Sequence, residues 1–433
     1  MMGLKKYLGE KEKGPLLTEE LKEEIASEVM TRVSEEFGPE RLFAPTEETK
    51  KEAVERIRHF VRVALRAREM VIEQSREEAL ISCIAHRMLG LGFLEQLLPP
   101  ARTDLTEIAL TPDGRVWVMP KGQIDFVPVD DLHPSISEVE RVVDRILGAH
   151  SRALSVANPS VDAKIPRSKR LPGGARVKVL HPCVAPGDGY PAVNIRLYEP
   201  KPVKPSQIIQ WGEANQEIME TLAEAVKRRL RIIVSGGTNT GKTTLLSAIC
   251  NFLPREERVI TVEDPQEIYV DHPHVVSLEA RPPTLEGKFG YSLAQGVDDA
   301  LRMSPRWLIV GEVRTGDAAL SLLRAQMTDH AGISTIHADS PKGAIERLAL
   351  LLRADTGMRR EPAKELIHAA VDLVVHLTFD RFGVRRIQYV SQLDENLHHG
   401  DIYFDNIFVL DQEASTEEKP VWRKVGELTR TRL

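Results

Sequence analysis

Four short stretches hold residue types whose spacing could do chemistry. The first, Gly236–Thr244, reads GGTNTGKTT. Gly236, four further residues, then Gly241, Lys242 and Thr243 give the phosphate-loop spacing. Glycines let the backbone curl so that successive N–H groups face one anion. A helix that starts there adds the positive end of its dipole. Lys242 would then reach the β- and γ-phosphates, and the Thr243 hydroxyl would ligate Mg²⁺. Thr238, Asn239, Thr240 and Thr244 complete the cradle. This chemistry is the binding and cleavage of a nucleoside triphosphate.

The second stretch, Val259–Ile268, is VITVEDPQEI. It reads as a buried strand that ends in Glu263 and Asp264, with Glu267 after Pro265. Carboxylates at the carboxyl end of a sheet strand lie where α/β proteins bind ligands. There they could order a metal-bound water or polarise an attacking one. The third, Trp307–Arg314, is WLIVGEVR. Its strand ends in Gly311–Glu312, and Glu312 can hold the Mg²⁺ hydration shell or act as a base toward water. Phosphate-loop enzymes usually place Asp before such a position. Here it is Gly311, so Glu312 acts alone or shares the role with Glu263. Arg314 is a phosphate or inter-subunit candidate. Further on, MTDHAGISTIHADSP gives a strand over Ile333–Ile336, with His330 before it and His337 after it. His337, between Thr335 and Asp339, is the stronger candidate for a group that touches the γ-phosphate. Neither histidine has metal-ligand spacing with another residue.

These residues need a scaffold. The run Leu230–Val234 predicts a buried strand before the loop, and Leu245–Phe252 a helix after it. Strands and helices alternate from there to about residue 350, which predicts a doubly wound, largely parallel sheet. From Asp372 onward, LVVHLTF, VRRIQYV and DIYFDNIFVL predict an antiparallel extension or edge. Upstream, residues 1–98 predict a helical extension. Residues 1–15 are expected to be mobile, and helices are expected over Leu17–Phe37, from about Thr46 through Gln74, and over Arg76–Leu98. Residues 99–198 predict a mixed α/β domain, with β-runs on either side of a helix at Ser135–Gly148. Arg176, after a Gly-Gly turn, and Arg196, in a short apolar strand, stand out there. A Pro-rich linker is expected over 199–207, and the phosphate-loop domain over 208–433.

Composition narrows the classes. Of the 433 residues, 42% are hydrophobic and 28% charged, an ordinary globular mix, and the formal net charge of -6 argues against a dedicated DNA-binding face. No apolar run is long enough to cross a bilayer, and no secretory signal follows the early lysines. Cys83, Cys183 and Cys250 are odd in number and far apart, which suggests a reducing compartment and cytoplasmic residence.

Together these motifs resemble the type II/type IV secretion ATPase superfamily. GGTNTGKTT, VEDPQE, SLEARPPTLEGK at Ser277–Lys288, ALRMSPRWLIVGEVR and ISTIHADSP occur in that family's order. The resemblance covers about residues 90–380, and SLEARPP points to the CpaF-like branch of Tad/Flp pilus assembly. It implies a RecA-like phosphate-loop ATPase domain with a smaller mixed α/β N-terminal domain, preceded here by the helical extension. It implies ATP and Mg²⁺ as cofactors, and a homo-hexamer with nucleotide held between the two domains and a neighbouring subunit. It implies a polytopic inner-membrane platform protein as partner, a peripheral place at the inner face of the cytoplasmic membrane, and no direct contact with nucleic acid. Arg176 and Arg196 match the arginines that close on the phosphates, and Arg281 and Arg302 match others lining the site. Three positions depart from the pattern: Asp329 replaces a glycine, and Asp298 and Ser304 stand where arginine is usual. The paired zinc-binding cysteines of type II relatives are absent. A conjugative type IV secretion ATPase is the alternative. A small-molecule phosphotransferase would need an acceptor pocket and lid, for which no segment stands out. A nucleotide-gated assembly protein that barely hydrolyses is a further possibility.

Overall fold

The structure, a computed structural model, describes residues 18–37, 47–123, 125–148, 152–168, 171–281, 283, 290–328 and 330–432. The expectations for residues 1–15, for Asp329 and for most of 282–289 lie outside the described residues. Two compact units form, Met1–Tyr198 and Glu199–Leu433.

The first unit has two hydrophobic cores. Three helices, Glu19–Phe37, Glu47–Ala67 and Gln74–Leu89, bury Ile25, Val29, Ile57, Val61 and Ile84 against one another. The middle helix ends at Ala67 rather than near Gln74, because Glu69 turns into left-handed backbone with φ 51°. The third ends at Leu89 rather than Leu98. Gly92, with φ 51°, opens a short 3-10 turn over Gly92–Gln96 instead.

The second core lies under an antiparallel sheet. Its strands are β1 (Leu105–Leu110), β2 (Val116–Pro120), β3 (Val127–Pro128), β4 (Ser160–Ile165), β5 (Ala175–Leu180) and β6 (Ala192–Leu197). Their spatial order is β3-β2-β1-β6-β5-β4. Burial alternates along β5 and β6, as period-two side chains require. Val177, Val179, Val193 and Ile195 face the helix Ile136–Gly148, while Arg176, Lys178, Asn194 and Arg196 point the other way.

The second unit is built on a nine-stranded sheet. It comprises β7 (Ile232–Gly236), β8 (Val259–Glu263), β9 (Val275–Glu279), β10 (Trp307–Val310), β11 (Ala331–His337), β12 (Leu373–Phe379), β13 (Arg385–Leu393), β14 (Phe404–Leu410) and β15 (Trp422–Lys424). The order is β15-β14-β13-β12-β7-β11-β10-β8-β9. β12 through β9 pair parallel, and β13–β15 add an antiparallel meander. LVVHLTF, expected in the antiparallel extension, is therefore parallel to β7. Both faces of the parallel part are covered. Ile232, Val234, Trp307 and Ile309 join one core, and Ile233, Ile260, Leu308 and Val310 the other. Double coverage is why these strands read as continuous apolar runs.

Part of the segment expected as a linker is folded into this unit. Val203 is buried in the first of those cores, and Pro205 opens the helix Pro205–Gln210, where its missing N–H costs nothing.

A buried ion pair closes the base of β7. Arg231 bonds Asp372 through Nε (2.8 Å) and Nη2 (3.0 Å), and its Nη1 donates to the Gln326 carbonyl. Arg432 adds a second guanidinium to Asp372 at 2.9 Å. Removing one partner strands the other charge in a dry site. Asp372→Ala is expected to lower stability by about 3–5 kcal/mol, read by urea unfolding. A change under about 1 kcal/mol, the range of a surface pair, would contradict this account.

Candidate nucleotide site

The loop between β7 and the helix Lys242–Ile249 curls as its sequence demands. Asn239 (φ 59°) and Gly241 (φ 92°) both take left-handed backbone. A side chain at Gly236 would meet the Thr240 hydroxyl at 2.5 Å and the Leu377 carbonyl at 2.7 Å. Thr240 is buried and donates to the Gly237 carbonyl, and Lys242 Nζ donates to the same carbonyl at 2.6 Å. Thr238 is exposed, while Thr243 and Thr244, in the first turn of the helix, are half-buried. The helix starts at Lys242, earlier than the sequence suggested, so its first N–H groups belong to the loop.

Ladder register places the neighbours. Gly236 pairs with His337 on β11 and with Leu377 on β12. His337 thus stands beside the first residue of the loop, exposed, at the carboxyl end of its strand. His330 lies at the opposite end of β11 and contacts the Thr328 hydroxyl at 3.2 Å, so the two histidines do not share a site.

The carboxylates divide. Glu263 is 1% exposed, and its Oε2 accepts the N–H groups of Glu267 (2.9 Å) and Ile268 (2.8 Å). A side chain at position 311 would come within 3.0 Å of Glu263 Cγ. Any larger residue there would need the Glu263 side chain to give way by a few tenths of an ångström. Glu312 is instead partly open, and its Oε2 accepts Arg314 Nη2 at 2.6 Å and Nε at 3.0 Å. Burial would lower the Arg314 pKa, but Glu312, aided by the charges of Glu267 and Asp264, raises it overall. The Glu312 loop is tied to β11: Thr335 Oγ1 donates to the Gly311 carbonyl at 2.6 Å, and Val313 N–H to the Thr335 carbonyl at 2.9 Å.

Other predicted residues stand elsewhere. Arg176 and Arg196 are direct cross-strand partners in the first unit, and Arg176 approaches Asp162 at 3.5 Å. Arg281 is exposed and pairs its backbone with Tyr291. Arg302 closes the helix Leu293–Leu301 and pairs with Asp299 at 3.7 Å. Asp298 is exposed on that helix.

Two residues beside the loop went unmarked in the sequence. Glu213 is 4% exposed, with both carboxylate oxygens within 3.9 Å of where a side chain at Gly241 would begin. Burial pushes its pKa up to about 7, against the opposing charges of Arg385 and Arg386. His376, buried on β12, bonds Ser235 Oγ at 2.9 Å. Burial and nearby Lys242 bring its pKa down to about 4, with Asp339 opposing. A histidine within an apolar strand was the one available signal.

The donor set suits a magnesium nucleotide. Among the described residues no cluster of His, Cys, Asp and Glu could hold a metal alone. A hydroxyl at Thr243 and a carboxylate at Glu312 are hard oxygen donors of the kind Mg²⁺ uses together with phosphates and water.

The two buried groups predict opposite pH responses. His376 has a folded pKa below its ordinary 6.5, so stability falls as pH drops from about 6.5 to about 4. Glu213 has a folded pKa above its ordinary 4.5, so stability falls as pH rises from about 4.5 to about 7. Glu213→Gln is expected to raise stability at pH 8 by at most about 3 kcal/mol and to leave it nearly unchanged at pH 4. Urea unfolding across pH checks this, and an equal effect at both ends would refute it.

Sequence comparison adds a relationship. The pattern described as Type II/IV secretion system protein matches residues 91–386. A Mycobacterium tuberculosis protein named provisionally for conjugal transfer is 33% identical over 315 residues, covering 71% of this chain and 85% of its own. The conjugal transfer protein TrbB of Rhizobium radiobacter is 28% identical, covering 70% of this chain and 88% of its own. In structure, the Legionella pneumophila ATPase DotB shares the fold at TM-score 0.50 and 19% identity, covering 67% of this chain and 77% of that one.

Proposed function

The chain belongs to the type II/IV secretion system protein family and is an ATPase of it, and from that premise we propose that it is a homo-hexameric motor for assembling a Tad-like pilus. Its main support is the juxtaposition of the phosphate loop with His337 on one neighbouring strand and the Glu312 loop tied to that same strand. In this scheme, loop N–H groups and Lys242 hold the triphosphate. Thr243, and Glu312 by way of water, would hold a Mg²⁺ ion, which would supply charge neutralisation for the phosphates. Glu312 orients the attacking water once Arg314 releases it. Glu263 has its Oε2 committed to backbone N–H groups, so it shapes the acidic loop rather than acting as base. His337 contacts the γ-phosphate and registers its loss. Arg176 and Arg196 are the candidates for arginines that contact the phosphates, as the family pattern in their sequence implies. Arg281 and Arg302 act across subunits, and the motion is delivered to a polytopic inner-membrane platform protein.

No helix among the described residues is long and apolar enough to cross a membrane. In this reading the motor acts at the inner face of the cytoplasmic membrane, as the family resemblance implies. The SLEARPP segment supports the Tad-like branch, and the net charge of -6 supports a protein rather than a DNA substrate. A conjugative type IV secretion role is the second reading, favoured by the relatives named for conjugal transfer.

Glu312→Gln is expected to lower kcat by about 100-fold or more while leaving nucleotide Kd within about threefold. Glu263→Gln should lower stability first. Full turnover in Glu312→Gln beside an inactive but folded Glu263→Gln would reverse the assignment. Anisotropy titrations with single- and double-stranded DNA separate the two readings. Binding that weakens steeply with salt is the conjugative signature, and none is expected here.

A further inference from the structure

His376 is the single polar residue in a stretch of β12 where Leu373, Val374, Val375 and Leu377 are all fully buried. An imidazole in such a place is costly unless its ring nitrogens find partners. Nδ1 bonds the hydroxyl of Ser235 at 2.9 Å. The backbone and carboxylate of Asp339 and the Lys242 ammonium are the other groups near enough to act on the ring. Those partners sit on different elements. Ser235 is the last residue but one of β7, directly before Gly236, and is fully buried. Asp339 lies two residues beyond His337, past the end of β11. β7 runs between β12 and β11. The ring is thus bonded to the strand that carries the loop and lies close to the segment after β11. That segment is itself bonded to the loop strand by Ala338 N–H to the Gly236 carbonyl, at 3.3 Å.

We propose that His376 is a positioning residue that holds His337 in place against the phosphate loop and so sets how strongly the site prefers a triphosphate to a diphosphate. The inference rests on the reading of His337 as the group that contacts the γ-phosphate. His376 touches no substrate. It acts through its bond to Ser235 on one side and its closeness to Asp339 on the other. Its depressed pKa keeps the ring neutral near pH 7. A neutral ring supplies one donor and one acceptor, which suits a fixed fastening.

The test uses the full chain and fluorescent nucleotide titrations with Mg²⁺, a non-hydrolysable ATP analogue and ADP. His337→Ala is measured first and should cut the preference for the analogue over ADP by about tenfold, as expected for one lost polar contact. His376→Phe should cut it to a similar extent, with the Kd for ADP within about twofold of the parent. His376→Asn, which can keep the bond to Ser235, should recover part of the loss. The double variant His337→Ala/His376→Phe should lose no more than the first alone, because the two act on one contact. Ser235→Ala, a small change, should move the preference in the same direction and decides the matter if His376→Phe does not fold. An equal fall in affinity for the analogue and ADP in the His376 and Ser235 variants would overturn the inference and leave a packing role. If His337→Ala itself leaves the preference intact, the sensor reading fails first, and that failure is visible separately.

Discussion

Everything in the nucleotide unit depends on β7 being held between two parallel neighbours. The strand is buried along its whole length, and its ladder bonds to β11 and β12 leave it one register. Because the side-chain period is two, a slip of one residue would exchange Ile233 for its neighbours across the two cores. It would also carry Gly236 away from His337. The loop chemistry is therefore fixed by strand pairing before any side chain of the loop takes part. At the opposite end, Arg231 and Asp372 anchor the same strand, so both of its ends are pinned.

Charge around the loop is managed by distance and pairing. Four acidic residues, Glu263, Asp264, Glu267 and Glu312, lie on two adjacent strand ends, an arrangement that would repel a polyanion. Two of the four are restrained in ways that soften this. Glu263 is turned inward onto backbone N–H groups, and Glu312 is covered by Arg314. The guanidinium holds a place in the charge balance that a divalent ion could take with the nucleotide. Glu213 reaches the same result differently, through a pKa near neutrality in a dry position. Gly311 leaves room beside this inward Glu263, whose Cγ a side chain at 311 would approach to 3.0 Å.

What the sequence made legible was local. GGTNTGKTT, the acidic ends of β8 and β10 and the alternation of strand and helix are each contained in a short run, so pattern and spacing suffice. The breaks in the first unit were harder. Nothing in Arg68–Glu69 marks the turn that ends the helix Glu47–Ala67, since neither residue is glycine or proline. The position of Val203 in the core was hidden by the prolines around it, which imitate a linker. Contacts between distant parts of the chain were invisible. Ser235 and His376 are 141 positions apart, and no local pattern links them. Glu213 carries no signal of burial in the polar turn where it sits. Its state depends on Gly241 and Arg385, which only the folded sheet brings near.

The clasp at the foot of β7 bears on how the polypeptide is made. Arg228 and Leu428 are bonded across 200 positions, and Arg432 reaches back to Asp372 in the same neighbourhood. On the ribosome, the strand that carries the loop emerges long before the guanidinium of Arg432. During that interval Asp372 has only part of its counter-charge, and the sheet lacks its outer strands. Until the outer strands emerge, the parallel strands of such a nascent chain keep an unpaired edge, the kind of edge prone to wrong pairing.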